Sequence, residues 1–492
     1  MIDDYINERL KKLEKIKAMG INPYPQIVLS DKKSSVELLK KYAEIGEEKS
    51  KNVEEYAGRI MSFRSMGNIA FVNLQDEYGK VQIVFQSKET KNYELLKLLD
   101  LGDLIVVKGN FFKTKKGEIS INATNLTLAS KSIRPLPEKF HGLKDEETIF
   151  RKRYLDAIMN PEVLELYKKK SRIIKLMKNF MDSKGFLEVQ TPILQNVYGG
   201  ASAEPFITHY NALDTDFYLR ISPELHLKRM IVAGYNKIYE IGPTFRNEGM
   251  DASHLQEISN HFEFYWTYQD YEGLMKFTEE LLTKIILEAN NSLIIKYGDA
   301  SFDFKTPFAR ITFKDLLIKY SGIDIDKFNT FDLLKKEILK KGLKEVNVNK
   351  CSHYGALLDE LYKRTARPNV MQPTFLLDYP VEMIPLAKRK ENDSSKISSF
   401  QLLVNGWELT KAYNELNDPV DQENRLVEQQ GLLKSGDKEA HPLDNDFIEA
   451  MQYGMPPIAG FGLGLDRFIA LLLNIQNIRA TAFFPTLKPV ND

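Results

Sequence analysis

Two arginines in this sequence are placed for work on phosphate. Arg246 lies in the run FRNEG (245–249), with Glu248 and His254 close behind it. The planar guanidinium fork pairs bidentately with phosphate oxygens, a histidine can hold a further oxygen, and the glutamate can take a metal ion or a donor group. At the ends of two strands such groups would clamp a phosphate, and phosphoryl-type transfer depends mostly on positioning and electrostatics of this kind. The same residues also read as a salt-bridged hairpin. Arg467 follows the run GFGLGLD (460–466). Its glycines allow close backbone approach at the start of a helix, although glycine-rich helix starts are common and often only pack. The run KGFLEVQTPILQ (184–195) has no convergent reactive groups and reads as packing or a subunit interface.

A different chemistry is suggested between Tyr56 and Leu128. Phe71 could stack on a base, Gln82 could read a base edge across the Tyr78-Gly79 turn, and Arg64 could meet a phosphate. Phe71 reads equally as core and Gln82 as a solvated strand residue.

The elements that must carry these groups follow from pattern. Residues 3–19 form an amphipathic helix with Ile6, Leu10, Leu13 and Ile16 on one face, ended by Gly20 and Pro23. A charged helix is expected from Ser35 to Lys51. Five short β-rich runs separated by glycine turns then predict a small Greek-key barrel of OB type. The prolines of IRPLPEKFHGL (133–143) mark a linker. Beyond it one large α+β unit is expected. It has a helix from about Pro161 to Lys184, mostly helical sequence over 308–365, a mobile loop at 388–399, and final strands leading to a glycine-rich helix start at 460–470. The domain bounds are 1–55 for a helical extension, 56–130 for the barrel, 131–150 for the linker and 151–492 for the large unit.

Composition excludes several classes. Lys+Arg and Asp+Glu both number 68, and a net charge of zero argues against a histone-like binder while leaving local basic patches open. With 43% hydrophobic residues the chain can bury large cores. A single cysteine, Cys351, permits no disulfide framework and no cysteine-based zinc site, as in a reducing compartment. The N-terminus lacks the apolar core of a signal peptide, and no run of 18 apolar residues predicts a membrane span. A cytoplasmic protein is expected.

Taken together and in order, several runs resemble the class II aminoacyl-tRNA synthetases, and most closely the lysine enzymes of the subclass with an N-terminal OB barrel. They are RYLDAIMNPEV (153–163), FLEVQTPIL (186–194), FITHYNALDTDFYLRISPELHLKRM (206–230), FRNEG (245–249), DYPVEMIPLAK (378–388), ELNDPVDQENR (415–425) and FGLGLDR (461–467). The resemblance implies an α+β fold: an OB barrel followed by a catalytic domain on a mixed, mainly antiparallel sheet with flanking helices. It implies ATP and Mg2+ as cofactors, L-lysine and tRNA(Lys) as substrates, and a homodimer joined through 184–195. By resemblance, Arg246 holds the α-phosphate, and Glu248 and His254 contact ATP. Ile258 covers the adenine, and Arg467 lies over the adenine or near the γ-phosphate. Glu408 ligates magnesium, with Gln401 and Glu415 beside it. Gly200, Glu224, Glu263, Tyr265, Tyr413 and Glu415 face the lysine, and Phe71, Gln82 and Arg64 meet the anticodon. An ammonium is best held by carboxylates, because burying it unpaired is costly. Glu263 and Tyr265 fall on one face of a strand.

Some positions depart from that pattern. Ile258 replaces an adenine-stacking phenylalanine, Gln401 a metal-binding carboxylate, Lys411 an asparagine near the substrate, and Glu204 an arginine. A cation at 411 repels a lysine ammonium if it points inward; otherwise it faces a carboxylate or a phosphate. The segment 256–265 is one residue longer than the pattern and requires a bulge if Glu263 is to keep its face. These departures leave two other readings: a paralogue that binds tRNA or nucleotide with little lysine activation, or a synthetase of altered specificity.

Overall fold

The β-rich runs near the N-terminus fold as β1 (Val53–Met66), β2 (Ile69–Gln75), β3 (Lys80–Gln86), β4 (Leu104–Lys113) and β5 (Ile119–Ser130). They close into a barrel in the order β1-β2-β3-β5-β4 in a computed structural model that describes residues 2–29, 31–137, 145–247 and 256–490. Alternation sets the two faces. Val72, Leu74, Val81 and Ile83 fill the core, while Phe71 and Gln82 stand half-buried on the outside. Helix α1 (Ile2–Ala18) joins the barrel core through Ile16, with Leu13 also buried, and Leu10 of the expected apolar face is exposed. Buried Arg9 instead donates to the carbonyls of Leu101 and Arg134. Fully buried Lys131 ion-pairs with Asp103 at 2.9 Å.

Helix α2 (Ser35–Lys41) opens with a capping box between Ser34 and Glu37. It ends ten residues short of the expected Lys51. Tyr42 leaves the helix to stack on Phe111, with ring centroids 4.3 Å apart, and donates to Glu54 at 2.6 Å. Tertiary contact thus overrides a charged, helix-prone sequence. Helices α3 (Glu146–Arg151) and α4 (Arg153–Met159) complete the first of two compact units, Met1–Leu166 and Tyr167–Asp492.

The second unit starts within α5 (Pro161–Ser183). Short strands follow: β6 (Leu187–Glu188), β7 (Leu194–Gln195), β8 (Ile207–Tyr210) and β9 (Thr215–Leu219). Then come α6 (Glu224–Val232), β10 (Lys237–Phe245), β11 (Ile258–Thr267) and α7 (Tyr271–Asn290). Strands β12 (Ile294–Tyr297), β13 (Ala300–Asp303) and β14 (Ala309–Thr312) lead to α8 (Phe313–Ser321), α9 (Phe331–Lys341) and α10 (Tyr354–Leu361). The chain closes with β15 (Thr374–Leu377), β16 (Ser399–Val404), β17 (Trp407–Asn414), α11 (Pro419–Lys434), α12 (Asn445–Gln452), β18 (Ile458–Gly464) and α13 (Leu465–Leu472). Eight strands form one sheet in the order β14-β15-β16-β17-β18-β11-β10-β6. It is mixed: β14 with β15 and β10 with β6 are parallel, and the other pairs antiparallel.

The centre of this sheet shows how sequence makes two faces. On β11 the run HFEFYW alternates. Phe262, Phe264 and Trp266 face the core, where Phe264 stacks on Phe461 at 4.6 Å and Phe277 of α7 meets Trp266 edge-on. His261, Glu263 and Tyr265 point the other way. On β18, Phe461 and Leu463 are core, and Gly460, Gly462 and Gly464 share the opposite face. The glycine run expected at a helix start is therefore a strand, and α13 begins only at Leu465.

The segment 388–399, expected to be a mobile loop, folds back on itself. Lys390 N donates to Lys396 O at 2.9 Å, and Arg389 bridges to Ile397. Among the described residues no helix is long and apolar enough to cross a membrane.

Candidate active site

The glycine face of β18 is the floor of a cavity of about 430 Å3. Three rungs cross it. Tyr413, Gly460 and Tyr265 share the first, Lys411, Gly462 and Glu263 the second, and Gly464 with His261 the third. Rungs two residues apart are separated by roughly 6.6 Å. The bare floor is a steric requirement. A Cβ on Gly460 would lie 2.0 Å from Glu415 Oε1 and 2.7 Å from Tyr265 Cε1. One on Gly200, where φ is +85°, would meet Glu224 Cβ at 2.7 Å.

Around the first two rungs the cavity is acidic. Glu224 at the start of α6, Glu263 and Glu415 are all buried, and all line the cavity. Tyr413 donates to Glu224 at 2.9 Å, and Ser222 to Glu263 at 3.2 Å. Three carboxylates so close repel one another, and their burial adds a large desolvation cost. Lys228 answers both. It lies one helical turn after Glu224 on α6, fully buried, with its Nζ 2.6 Å from Glu224 Oε1 and 2.5 Å from Glu415 Oε2. Burial opposes its charge, but Glu224 and Glu415 outweigh burial and hold its pKa above the ordinary value. Glu415 Oε1 is left buried without a hydrogen-bond partner, against the open side of Gly460.

Glu263 has no such cation. Burial, and then the charge of Glu224, push its carboxyl up to about 8, against the Ser222 hydrogen bond and the pull of Arg246. Burial and the surrounding carboxylates also push the phenols of Tyr265 and Tyr413 well above their ordinary range, so both keep their protons.

The third rung is basic. Arg246 follows β10, and Arg467 packs its side chain 3.5 Å from the position of a Gly464 Cβ. Both line the cavity. His261 sits between them, its Nδ1 2.6 Å from Thr244 Oγ1. Burial and the charges of Arg246 and Arg467 hold its imidazole neutral. Asp466 anchors this end: it pairs with Lys170 at 2.9 Å and accepts from the backbone N–H of Asn260 at 2.8 Å. Beneath the site Arg220 pairs with Glu240, and Thr191 donates to the same carboxylate at 2.7 Å. A cavity acidic at one end and basic at the other suits a ligand pair with ammonium groups at one end and phosphates at the other.

The cavity collects Gly200, Glu224, Arg246, Glu263, Tyr265, Glu408, Tyr413, Glu415 and Arg467 from the residues expected to act. Glu408 reaches it through a bulge in the β16–β17 pairing between Leu402 and Leu403, which puts Glu408 on the same side as Lys411 despite an odd spacing. Its carboxylate has no hydrogen-bond or ion-pair partner among the described residues.

Other expectations are corrected. Gln401 lies outside the cavity lining, and its amide oxygen accepts the hydroxyls of Tyr362, at 3.2 Å, and Tyr379. Glu415 belongs to the acidic end with Lys228. The expected magnesium set of Glu408, Gln401 and Glu415 is thus not brought together, and no cluster of three or more His, Cys, Asp or Glu suited to a metal occurs among the described residues. Ile258 pairs with Phe245 at the start of β11, on the face opposite to His261 and Glu263, and is 43% exposed. The expected bulge in 256–265 is not found from Ile258 onward, because the β10–β11 register runs unbroken from Ile258 to Trp266. Glu248 and His254 lie outside the described residues. In the barrel, Arg64 is directly opposite Phe71, and Gln82 is opposite Asn73. The Gln82 amide is engaged by Glu118 at 2.6 Å and Ser120 at 2.9 Å. Lys228, Ser222 and His261 were not anticipated. His261 was legible as the residue two before Glu263 on the same strand face; Lys228 needed the fold to bring Glu415 to it.

Residues 145–488 match the family described as tRNA synthetases class II (D, K and N), and residues 56–129 match the OB-fold nucleic acid binding domain. The fold is thus that of a class II aminoacyl-tRNA synthetase with an appended OB barrel. Full-length relatives narrow the class. The chain is 43% identical over 499 aligned positions to a lysine–tRNA ligase of Thermoanaerobacter pseudethanolicus, spanning 100% of this chain and 97% of the relative. It is 42% identical over 500 positions to one from Dehalococcoides mccartyi, spanning 100% and 99%. With that of Pelotomaculum thermopropionicum it shares 44% over 435 positions, spanning 88% and 86%. The chain belongs to the lysine–tRNA ligase family.

The floor yields a prediction. Gly460→Ala drives a methyl group into Glu415 and Tyr265. The variant is expected to lose some thermal stability, because the methyl must displace buried Glu415 or Tyr265, and to lose affinity for the amino acid about tenfold or more with ATP affinity changed far less. Parallel titrations of the two ligands check this, and equal losses would contradict it.

Proposed function

We propose that the chain activates L-lysine with ATP and transfers it to the 3'-terminal ribose of tRNA(Lys). The observation that carries this reading is the acidic end of the cavity, where Glu263 has no cation beside it while Glu224 and Glu415 share Lys228. In this reading the ε-ammonium of lysine enters between Glu263, Tyr265 and Glu415, and Glu224 and Gly200 receive the α-amino group. The lysine carboxylate then points toward Arg246. It attacks the α-phosphorus of ATP, the bond to the β-phosphate breaks, and pyrophosphate leaves with the bridging oxygen. Arg246 holds the α-phosphate and Arg467 the nucleotide's far side, so charge that grows in transfer meets fixed cations. The tRNA ribose hydroxyl next attacks the adenylate carbonyl and releases AMP. Neutral His261 beside the arginines adds no competing charge.

Magnesium fits the cavity in one respect: Glu408 offers a free carboxylate, and magnesium is commonly held by one or two carboxylates plus substrate phosphates. Its chemistry there is to shield the phosphate oxygens. Barrel residues 56–130 serve the anticodon, with Phe71 stacking, Arg64 beside it and Gln82 exchanging its contacts to Glu118 and Ser120 for a base. Exposed Leu187, Ile193 and Leu194 are apolar surface on 184–195 for a second copy of the chain, and the protein works in the cytoplasm as a homodimer.

Two measurements check this. ATP–pyrophosphate exchange, run with each of the twenty amino acids, is expected with lysine alone, and Glu263→Gln is expected to raise the lysine KM about tenfold or more while the ATP KM changes little. Exchange with another amino acid, or equal effects on both KM values, would overturn the assignment of the pocket. Phe71→Ala is expected to slow tRNA charging while leaving exchange intact; loss of both would make Phe71 structural.

A further inference from the structure

The proposed reaction leaves Lys411 without a task. It lines the cavity on the second rung, level with Glu263 across Gly462, and midway between the acidic and basic ends. Buried carboxylates lie at the acidic end beside it and half-buried Glu408 lies on its own strand, yet among the described residues it forms no ion pair or hydrogen bond. Lys228, by contrast, bridges two of those carboxylates. Its cross-strand partner is Gln401, a neutral amide whose oxygen already accepts two tyrosine hydroxyls, so the neighbouring strand supplies no countercharge. Arg367 lines the same cavity, with its Nε buried and without a partner. Lys411 is half-buried, and an unpaired ammonium lining a polar cavity is a place where an anion can be matched by a charge-assisted contact.

We propose that Lys411 is a substrate-contacting residue whose ammonium binds the α-phosphate of ATP where the amino-acid carboxylate attacks it, with Arg367 covering the outer phosphates. Its position decides between the anions available. The second rung carries Glu263 at the near edge of the ammonium pocket on one strand and Lys411 on the other, and is one step from His261, which is where carboxylate and α-phosphate must meet. The fixed charge takes part of the load that divalent cations carry at triphosphates. The chain therefore binds ATP with less help from magnesium than Glu408 alone would allow, and Gln401 in place of a carboxylate agrees with that balance. The inference rests on the cavity being the site of ATP and amino acid.

The test is ATP binding by calorimetry in EDTA, alongside exchange measured against free magnesium, for wild type, Lys411→Arg, Lys411→Asn and Lys411→Met. Wild type is expected to bind metal-free ATP. Lys411→Met and Lys411→Asn should weaken that binding about tenfold to hundredfold and need more magnesium for half-maximal exchange, while Lys411→Arg stays close to wild type. Unchanged metal-free binding and an unchanged magnesium profile in Lys411→Met would overturn the inference, as would equal losses in the Arg and Met variants or no metal-free binding by wild type. The two readings separate cleanly. A wild type that binds metal-free ATP through Lys411 but shows no lysine-dependent exchange loses the proposed reaction and keeps the phosphate site. Intact exchange with an indifferent Lys411 loses only this inference.

Discussion

Three carboxylates must share one buried pocket, and much of the second unit can be read as the means of making that tolerable. Unit charges a few ångströms apart at low effective dielectric repel by several kcal/mol, and each buried carboxylate also loses its water. Lys228 is the compensation. Its ammonium sits between Glu224 and Glu415 in a space with no exposed surface, and the rings of Tyr413 and Phe447 lie 5.9 and 5.8 Å away. Three carboxylates and one ammonium leave two negative charges when all are ionised. Free lysine carries two ammonium groups. The pocket is thus matched to its proposed substrate in charge as well as in sign; burial pushes the carboxyls of both Glu263 and Glu415 up, and only Glu415 has Lys228 to oppose it.

That arrangement needs strands whose two faces do unlike work. Phe262, Phe264 and Trp266 secure β11 to the core while His261, Glu263 and Tyr265 face the cavity. The same division on β18 leaves only glycine hydrogens on the cavity side, so the substrate can lie against backbone. The Arg220–Glu240 pair and the bonds of Asp466 to Lys170 and Asn260 fix the strand ends, and so the heights of the rungs. A slip of one residue on β11 would exchange Glu263 for Phe264. The unbroken register from Ile258 to Trp266 is what keeps the acid where it acts.

Much of this was legible in the residues. The barrel followed from five short β runs, and the alternation in HFEFYW placed Glu263 and Tyr265 on one face. Other features were not. Lys228 reads as a surface lysine in ELHLK until the fold sets Glu415, distant in sequence, beside it. The glycines of GFGLG suggest a helix start because a strand's need for a bare face appears only once Glu415 and Tyr265 are opposite. Glu408 and Lys411 have odd spacing, and only the bulge opposite Leu402 and Leu403 turns both toward the cavity. The misplacement of Ile258 is a parity error. With the β10–β11 register unbroken, Ile258 falls on the face opposite to His261 and Glu263, the wrong one for a nucleotide.

The account stands most directly on the state of Glu263. Its carboxyl is pushed up to about 8, so it holds a proton at pH 7 in the empty pocket. An ammonium brought against it favours the ionised form and lowers that pKa, so lysine binding must expel the proton and tighten as pH rises toward 8. Calorimetry of lysine binding at pH 7, in buffers of different ionisation enthalpy, measures this. The account predicts proton release on lysine binding by wild type and markedly less by Glu263→Gln. Binding by wild type with no proton released would contradict it.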